Sequence, residues 1–168
     1  PGETRAAATP DEAVAAFRRI APHTHRTPLL TSRLLDGLLG KRLLLKAEHL
    51  QKTGSFKARG ALSKALALEN PKGRLAVSSG NHAQGVAKAA RGLGIRTTVF
   101  MPVGAPLPKL AATKAYGAEI VTVGTTIDDA LVAATEFSER TGAVLIHPFD
   151  HEDIVVGQGT IGLEILDQ

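Results

Sequence analysis

Leu75-Ala76-Val77-Ser78-Ser79-Gly80-Asn81-His82-Ala83-Gln84-Gly85 decides how this chain is built. A short aliphatic run breaks into small polar residues and glycine, and a helix-forming run follows. A strand that ends, turns and hands over to a helix reads this way. The same alternation repeats in both directions. Strand-like runs lie at Arg42–Ala47, Leu75–Ser78, Thr97–Met101, Glu119–Val123 and Ala143–His147. Helix-like runs lie between them at Ala58–Glu69, Asn81–Leu93, Pro106–Tyr116 and Ile127–Arg140. Gly73, Gly94, Gly117 and Gly142 fall between a helix end and the next strand, where a left-handed residue is wanted. The expected fold class is therefore α/β: an open parallel sheet with helices on both faces, a three-layer α/β/α arrangement.

The flanks read differently. Thr9-Pro10-Asp11-Glu12 starts a helix, with Thr9 as the cap, Pro10 in the first helical position and Glu12 closing a capping box. A second short helix follows Pro28 and stops at Gly40. At the other end Gly157-Gln158-Gly159-Thr160-Ile161-Gly162 matches a dinucleotide-binding glycine pattern. One helix starting after Asp150 is the better reading. Ile154, Gln158, Ile161 and Ile165 share one face and Val155, Gly162 and Leu166 another, and the glycines allow close backbone packing.

Parallel sheets bind ligands beyond the carboxyl ends of their strands. Those ends carry Gln51–Phe56, Ser78–His82, Pro102–Ala105, Gly124–Thr126 and Pro148–His151. Two of these groups hold reactive chemistry. Lys57, in Lys52-Thr53-Gly54-Ser55-Phe56-Lys57-Ala58-Arg59-Gly60-Ala61, falls at the first turn of a helix. The helix field, Lys52 and Arg59 are all expected to disfavour its charged form, and a neutral amine attacks carbonyl carbon to form a Schiff base. Ser78 to Gly85 combines two hydroxyls, a carboxamide and exposed helix N–H groups at one turn, a receptor for an anion such as a carboxylate. An ordinary polar cap, with Ser79 capping, is the plainer account of the same residues.

Composition narrows the classes. The chain has 168 residues, 43% of them hydrophobic and only 4% aromatic, so its core must be aliphatic. The net charge of +4 is spread along the chain without aromatic interleaving, which argues against nucleic acid as a partner. No apolar run is long enough to span a membrane, and no signal peptide is visible. With no cysteine there are no disulfides or thiolate ligands, which fits a cytoplasmic location. His23 and His25, or His147 and His151, lack a third metal ligand at convincing spacing, so no metal site is expected. Neither a Gly-x-Ser-x-Gly elbow nor a nucleotide phosphate loop is present.

Gly54-Ser55-Phe56-Lys57-Ala58-Arg59-Gly60-Ala61 and Ser78-Ser79-Gly80-Asn81-His82-Ala83-Gln84-Gly85 together resemble the threonine dehydratase and serine racemase branch of the fold-type II pyridoxal-phosphate enzymes. The likeness extends to Thr24-His25-Arg26-Thr27-Pro28-Leu29, Met101-Pro102, Ala112–Glu119 and Gly157-Gln158-Gly159-Thr160. It implies the tryptophan synthase β-subunit-like fold and a pyridoxal 5'-phosphate cofactor. By the same resemblance Lys57 holds the cofactor and serves as acid and base, Phe56 packs beside its ring, and Asn81 bonds the ring hydroxyl. Ser78, Ser79, Gly80, Asn81 and His82 receive the substrate carboxylate. Ser79 sits on the ring face opposite Lys57, where racemases use a serine for proton transfer.

The implied reaction is dehydration and deamination of a β-hydroxy amino acid, threonine or serine, to a 2-keto acid and ammonia. An amino-acid racemase of the same fold is the alternative within that class. A non-catalytic α/β domain or interaction module is the alternative outside it. The resemblance covers an N-terminal half. It implies that 48–148 is a smaller domain, that 1–47 is part of a larger one, and that 149–168 starts the remainder of that larger domain. The chain is then expected to form a homo-oligomer or to need a complementing C-terminal half.

Overall fold

The computed structural model describes residues 8–68, 74–77 and 80–168, with backbone alone for 74–77. Its centre is a four-stranded, fully parallel sheet in the order β5-β4-β3-β6, built from β3 (Arg74–Val77), β4 (Thr97–Met101), β5 (Glu119–Thr122) and β6 (Val144–Ile146). Helices α4 (Asn81–Gly92), α5 (Leu107–Ala115) and α6 (Ile127–Thr141) connect these strands in turn. Strand β4 shows why both faces are covered. Successive side chains on a strand point to opposite sides. Val99 and Met101 enter a cluster with Ala83, Val86 and Ala87 of α4, whereas Phe100 packs against Ala130 and Ala134 of α6. The core is aliphatic as composition requires, with Phe100 and Phe137 edge to face at 5.6 Å.

Three of the four glycines expected at helix ends have positive φ: Gly94 at 68°, Gly117 at 87° and Gly142 at 71°. Gly73 lies outside the described residues. Thr9 caps α1 (Pro10–Ile20) with the complete capping box, and Gly40 closes α2 (Arg33–Leu39) in the left-handed conformation.

The segment Arg42–Ala47 departs from expectation. Only Leu45–Lys46 (β2) is a strand, and it pairs antiparallel with β1 (Leu29–Leu30), outside the parallel sheet. The reason is the pull of its own polar groups. Ala47 N–H donates to Pro28 O, and Lys46 Nζ donates to Thr27 O and Glu164, both at 2.6 Å. These bonds tie the segment to the N-terminal arm and to α7 (Glu152–Leu166) rather than to the sheet.

The glycine-rich run lies inside α7, as the helix reading expects. The buried stripe differs from the expected faces: Ile154, Val156, Gly157, Thr160 and Glu164 face inward, while Ile165 and Leu166 are exposed. Gly157 is the reason. A Cβ placed there would stand 2.8 Å from Gly60 Cα and 3.0 Å from Arg59 O, so α7 lies directly on the backbone of α3 (Lys57–Ala67). Helix α3 also packs on α4, where a Cβ at Gly85 would meet Lys57 O at 3.1 Å. It is thus held between two helices at glycine contacts, and α1 packs on both α3 and α7.

Candidate active site

The chain builds the sheet outward from β3 to β4 to β5, then crosses by α6 to place β6 on the other flank of β3. The order reverses between β3 and β6, and the crevice beyond such a reversal is where open α/β sheets take ligands. Lys57, the first residue of α3, reaches this point. Its Nζ donates to the carbonyl of Pro148, just past β6, at 2.7 Å. His82, in the first turn of α4, reaches the same segment, with Nε2 2.9 Å from Ile146 O. A carbonyl only accepts, so Nε2 carries the proton and the tautomer is fixed.

Burial lowers the Lys57 amine below the ordinary lysine range. The direction agrees with the sequence reading but the cause does not. Arg59 exerts no net push, because two carboxylates neutralise it, and desolvation alone lowers the amine. Burial also pushes His82 down to about 4, against its bond to Ile146, and the nearby charge of Lys57 acts in the same direction. At neutral pH His82 is an uncharged donor, committed to Ile146.

The Phe56 ring is 41% exposed, and its centroid lies 5.3 Å from Lys57 Nζ. The amine thus lies over an exposed aromatic residue. Gly80 occupies the cap position of α4 and, having no side chain, supplies no capping oxygen of its own. Asn81, exposed, opens the helix. Lys109 Nζ would stand 3.4 Å from a Cβ at Gly80, so a further cation borders this turn. Ser78 and Ser79 lie outside the described residues. The structure thus brings together Lys57, Phe56 and His82, with Gly80 and Asn81 on the same turn as His82. The buried Ser55 Oγ, two residues before Lys57, has no hydrogen-bond partner among the described residues.

A different cluster escaped sequence reasoning. Arg59 is fully buried and bonds both oxygens of Glu48 at 2.8 Å, Glu164 at 2.7 and 2.9 Å, Thr160 and His25 O. Lys46 completes it by pairing with Glu164 at 2.6 Å. Burial opposes the charge on Arg59 and on Glu164, but the mutual hydrogen bonds win and keep both ionised. The available signal was an arginine set between Ala58 and Gly60-Ala61-Leu62, a position too apolar for a solvated charge. The histidines considered as ligands are occupied otherwise: His147 Nδ1 accepts from the Asp150 N–H at 2.8 Å, and His151 Nδ1 from the Asp153 N–H at 3.2 Å. A cavity of about 380 Å³ lies elsewhere, lined by His23, Lys52, Leu62, Lys88, Arg91 and Tyr116.

A parallel sheet with a half-buried lysine at its switch point fits a class: α/β proteins whose lysine amine can hold a carbonyl compound as an imine. Comparison narrows it. The family model for pyridoxal-phosphate dependent enzymes matches residues 20–168, and the chain belongs to that family. It is 47% identical to an L-threonine ammonia-lyase of Thermotoga maritima over 90% of this chain and 39% of that protein. A serine racemase of Oryza sativa is 42% identical over 91% of this chain and 46% of its own length. Among solved structures, a T.th. threonine deaminase superposes with a TM-score of 0.90 at 68% identity, covering 95% of this chain and 51% of that one. Maize serine racemase gives 0.94 at 42% identity, covering 97% and 50%. The chain therefore spans about half the length of the relatives it matches. The donor set fits the family's cofactor: a partly desolvated amine for its aldehyde, an exposed aromatic residue beside that amine for its ring, and helix N–H groups with polar neighbours alongside.

Proposed function

We propose that this chain is the N-terminal half of an amino-acid ammonia-lyase that converts threonine or serine to a 2-keto acid and ammonia. The observation that carries the reading is the placement of the Lys57 amine at the switch point beside the Gly80–His82 turn. Lys57 would anchor pyridoxal 5'-phosphate, Phe56 would pack beside it and Asn81 would hydrogen-bond it. When bound, the cofactor stores the electron pair left by loss of a substrate proton.

The protein's own residues do the rest. Gly80, Asn81, His82 and the serines Ser78 and Ser79 receive the substrate carboxylate at the N-terminus of α4, where partial positive charge favours an anion. Lys57 would take the α-proton as a base, and its desolvation favours the neutral amine that this step needs. His82 holds its proton toward Ile146 O and orients the turn. Segments 1–47 and 149–168 belong to a larger domain, and the sheet within 48–148 forms the smaller one, with α3 bridging the two. A complementing C-terminal half or a homo-oligomer completes the site, in the cytoplasm. Among the described residues no helix is long and apolar enough to cross a membrane.

The serine racemases among the relatives favour one second reading, in which Ser79 and Lys57 exchange protons on opposite faces of the substrate. The experiment is a visible spectrum of the protein with pyridoxal 5'-phosphate, with Lys57→Ala as control, followed by keto-acid and chiral assays on L-threonine and L-serine. A saturable band lost in Lys57→Ala, with keto-acid release, supports the lyase. Recovery of D-serine without keto acid moves the assignment to a racemase. No lysine-dependent band leaves a non-catalytic α/β module.

A further inference from the structure

Lys57 sits at a helix start that has little to hold it. The position before it, Phe56, supplies no side-chain cap. The turn leading in carries Thr53 at φ 66° and Gly54 at φ 70°, and a β-branched residue in that region is strained. Thr53 Oγ1 and Ser55 Oγ are both buried without hydrogen-bond partners among the described residues. By local rules this is a poor place to fix a reactive amine.

We infer that Arg59 is the positioning residue for Lys57. It lies in the same first turn of α3, and its guanidinium joins three separate pieces of chain. Glu48 comes from the turn that precedes the strained loop, His25 O from the N-terminal arm, and Glu164 and Thr160 from α7. From the opposite side α4 presses on the Lys57 backbone at Gly85. The first turn of α3 is therefore clamped on one flank by buried ion pairs and on the other by close helix contact. From this clamped turn the Lys57 stem runs to Pro148 O. The clamp sets how deeply the amine is buried, and that depth depresses its protonation. A lysine at position 59 offers three donors from one atom and cannot reproduce the planar fork that serves both carboxylates. This inference rests on the reading of Lys57 as the cofactor's anchor.

The test uses the full-length protein with Arg59→Lys, Glu48→Gln as a milder break of the same clamp, and Phe137→Leu as a control. Phe137 packs on the other face of the sheet, so its loss lowers stability without touching the clamp. Lysines are reductively methylated with ¹³C-formaldehyde in the cofactor-free protein, and the Lys57 signal, identified by its absence in Lys57→Ala, is titrated by NMR. Cofactor uptake is followed in parallel on unmodified protein. In Arg59→Lys the Lys57 midpoint should rise by about half a pH unit or more toward that of an ordinary lysine, because the loosened amine regains water. Uptake should slow by about tenfold, since small misplacements of a reacting group are costly. Glu48→Gln should move both readouts the same way by less, and Phe137→Leu should move neither. Unchanged Lys57 titration in folded Arg59→Lys and Glu48→Gln overturns the inference, as does an equal shift in Phe137→Leu. Failure of the anchor reading itself appears differently, as cofactor uptake in the unsubstituted protein that does not depend on Lys57.

Discussion

Lys57 and Arg59 stand two residues apart in one helical turn, carry the same formal charge, and do opposite things. Arg59 is fully buried and every bond it can donate is directed at two carboxylates, a hydroxyl and a carbonyl. Lys57 is half-buried and, among the described residues, has one hydrogen bond, to Pro148 O. Burial alone therefore does not decide the fate of a cation; the count of its partners does. Charge compensation makes Arg59 inert and permanently ionised. Among the described residues no carboxylate pairs with Lys57, and burial lowers its amine.

Substitution should separate the two residues most sharply in stability. Arg59→Met leaves Glu164 with Lys46 and Glu48 with the Thr27 hydroxyl, and should cost about 3–5 kcal/mol, the usual loss on breaking one side of a buried pair. Lys57→Met gives up the hydrogen bond to Pro148 O and should cost about 1 kcal/mol or less while removing the amine entirely. Thermal or urea unfolding of the two variants, followed by circular dichroism, checks this. Equal losses would mean that the clamp is not confined to Arg59.

A second comparison is between His82 and a solvated histidine. The folded state binds the His82 proton near pH 4, whereas the unfolded chain binds it near 6.5. Between those values the unfolded state holds more protons, so stability is complete above about 6.5 and falls as the pH drops toward 4. The loss at the acid end should be about 3 kcal/mol. His82→Gln, which keeps an N–H donor for Ile146 O but does not titrate, should flatten that part of the stability profile. A parallel decline in both proteins would place the acid sensitivity outside His82, with the Glu164 carboxylate, held low by Arg59 and Lys46, as the next group to test.

The smallest of these effects concerns the contact on which the clamp leans. Gly157→Ala puts a methyl 2.8 Å from Gly60 Cα, where α7 or α3 must shift. The expected cost is about 1–3 kcal/mol. Gly162→Ala, with nothing within 4 Å of its Cβ, should be neutral or slightly stabilising. Urea unfolding of the pair isolates close helix packing from helix propensity in one helix.

Much of this was legible in sequence. The four strands of the parallel sheet, the helices between them and the helix-ending glycines follow from alternating periodicities and from φ requirements, which act over a few residues. The placement of Lys57 at one helix start and of Gly80–His82 at another was legible, because polar and glycine residues punctuate the chain there. The antiparallel β1–β2 ladder was not, because Lys46 chooses a partner on α7, far along the chain. Nor was the cause of the Lys57 shift, since Arg59 reads as a repelling neighbour until Glu48 and Glu164 are placed beside it.

The order of residues is enough to specify the α/β alternation, the capped helix ends and the presence of an amine where a helix begins. It took the packed chain to bring this amine to Pro148 O, 91 residues away, and Arg59 to Glu164 across 105. Local preferences act through dihedral angles and neighbouring side chains. The partners of a buried charge are selected by which helices pack together and how closely glycine lets them approach.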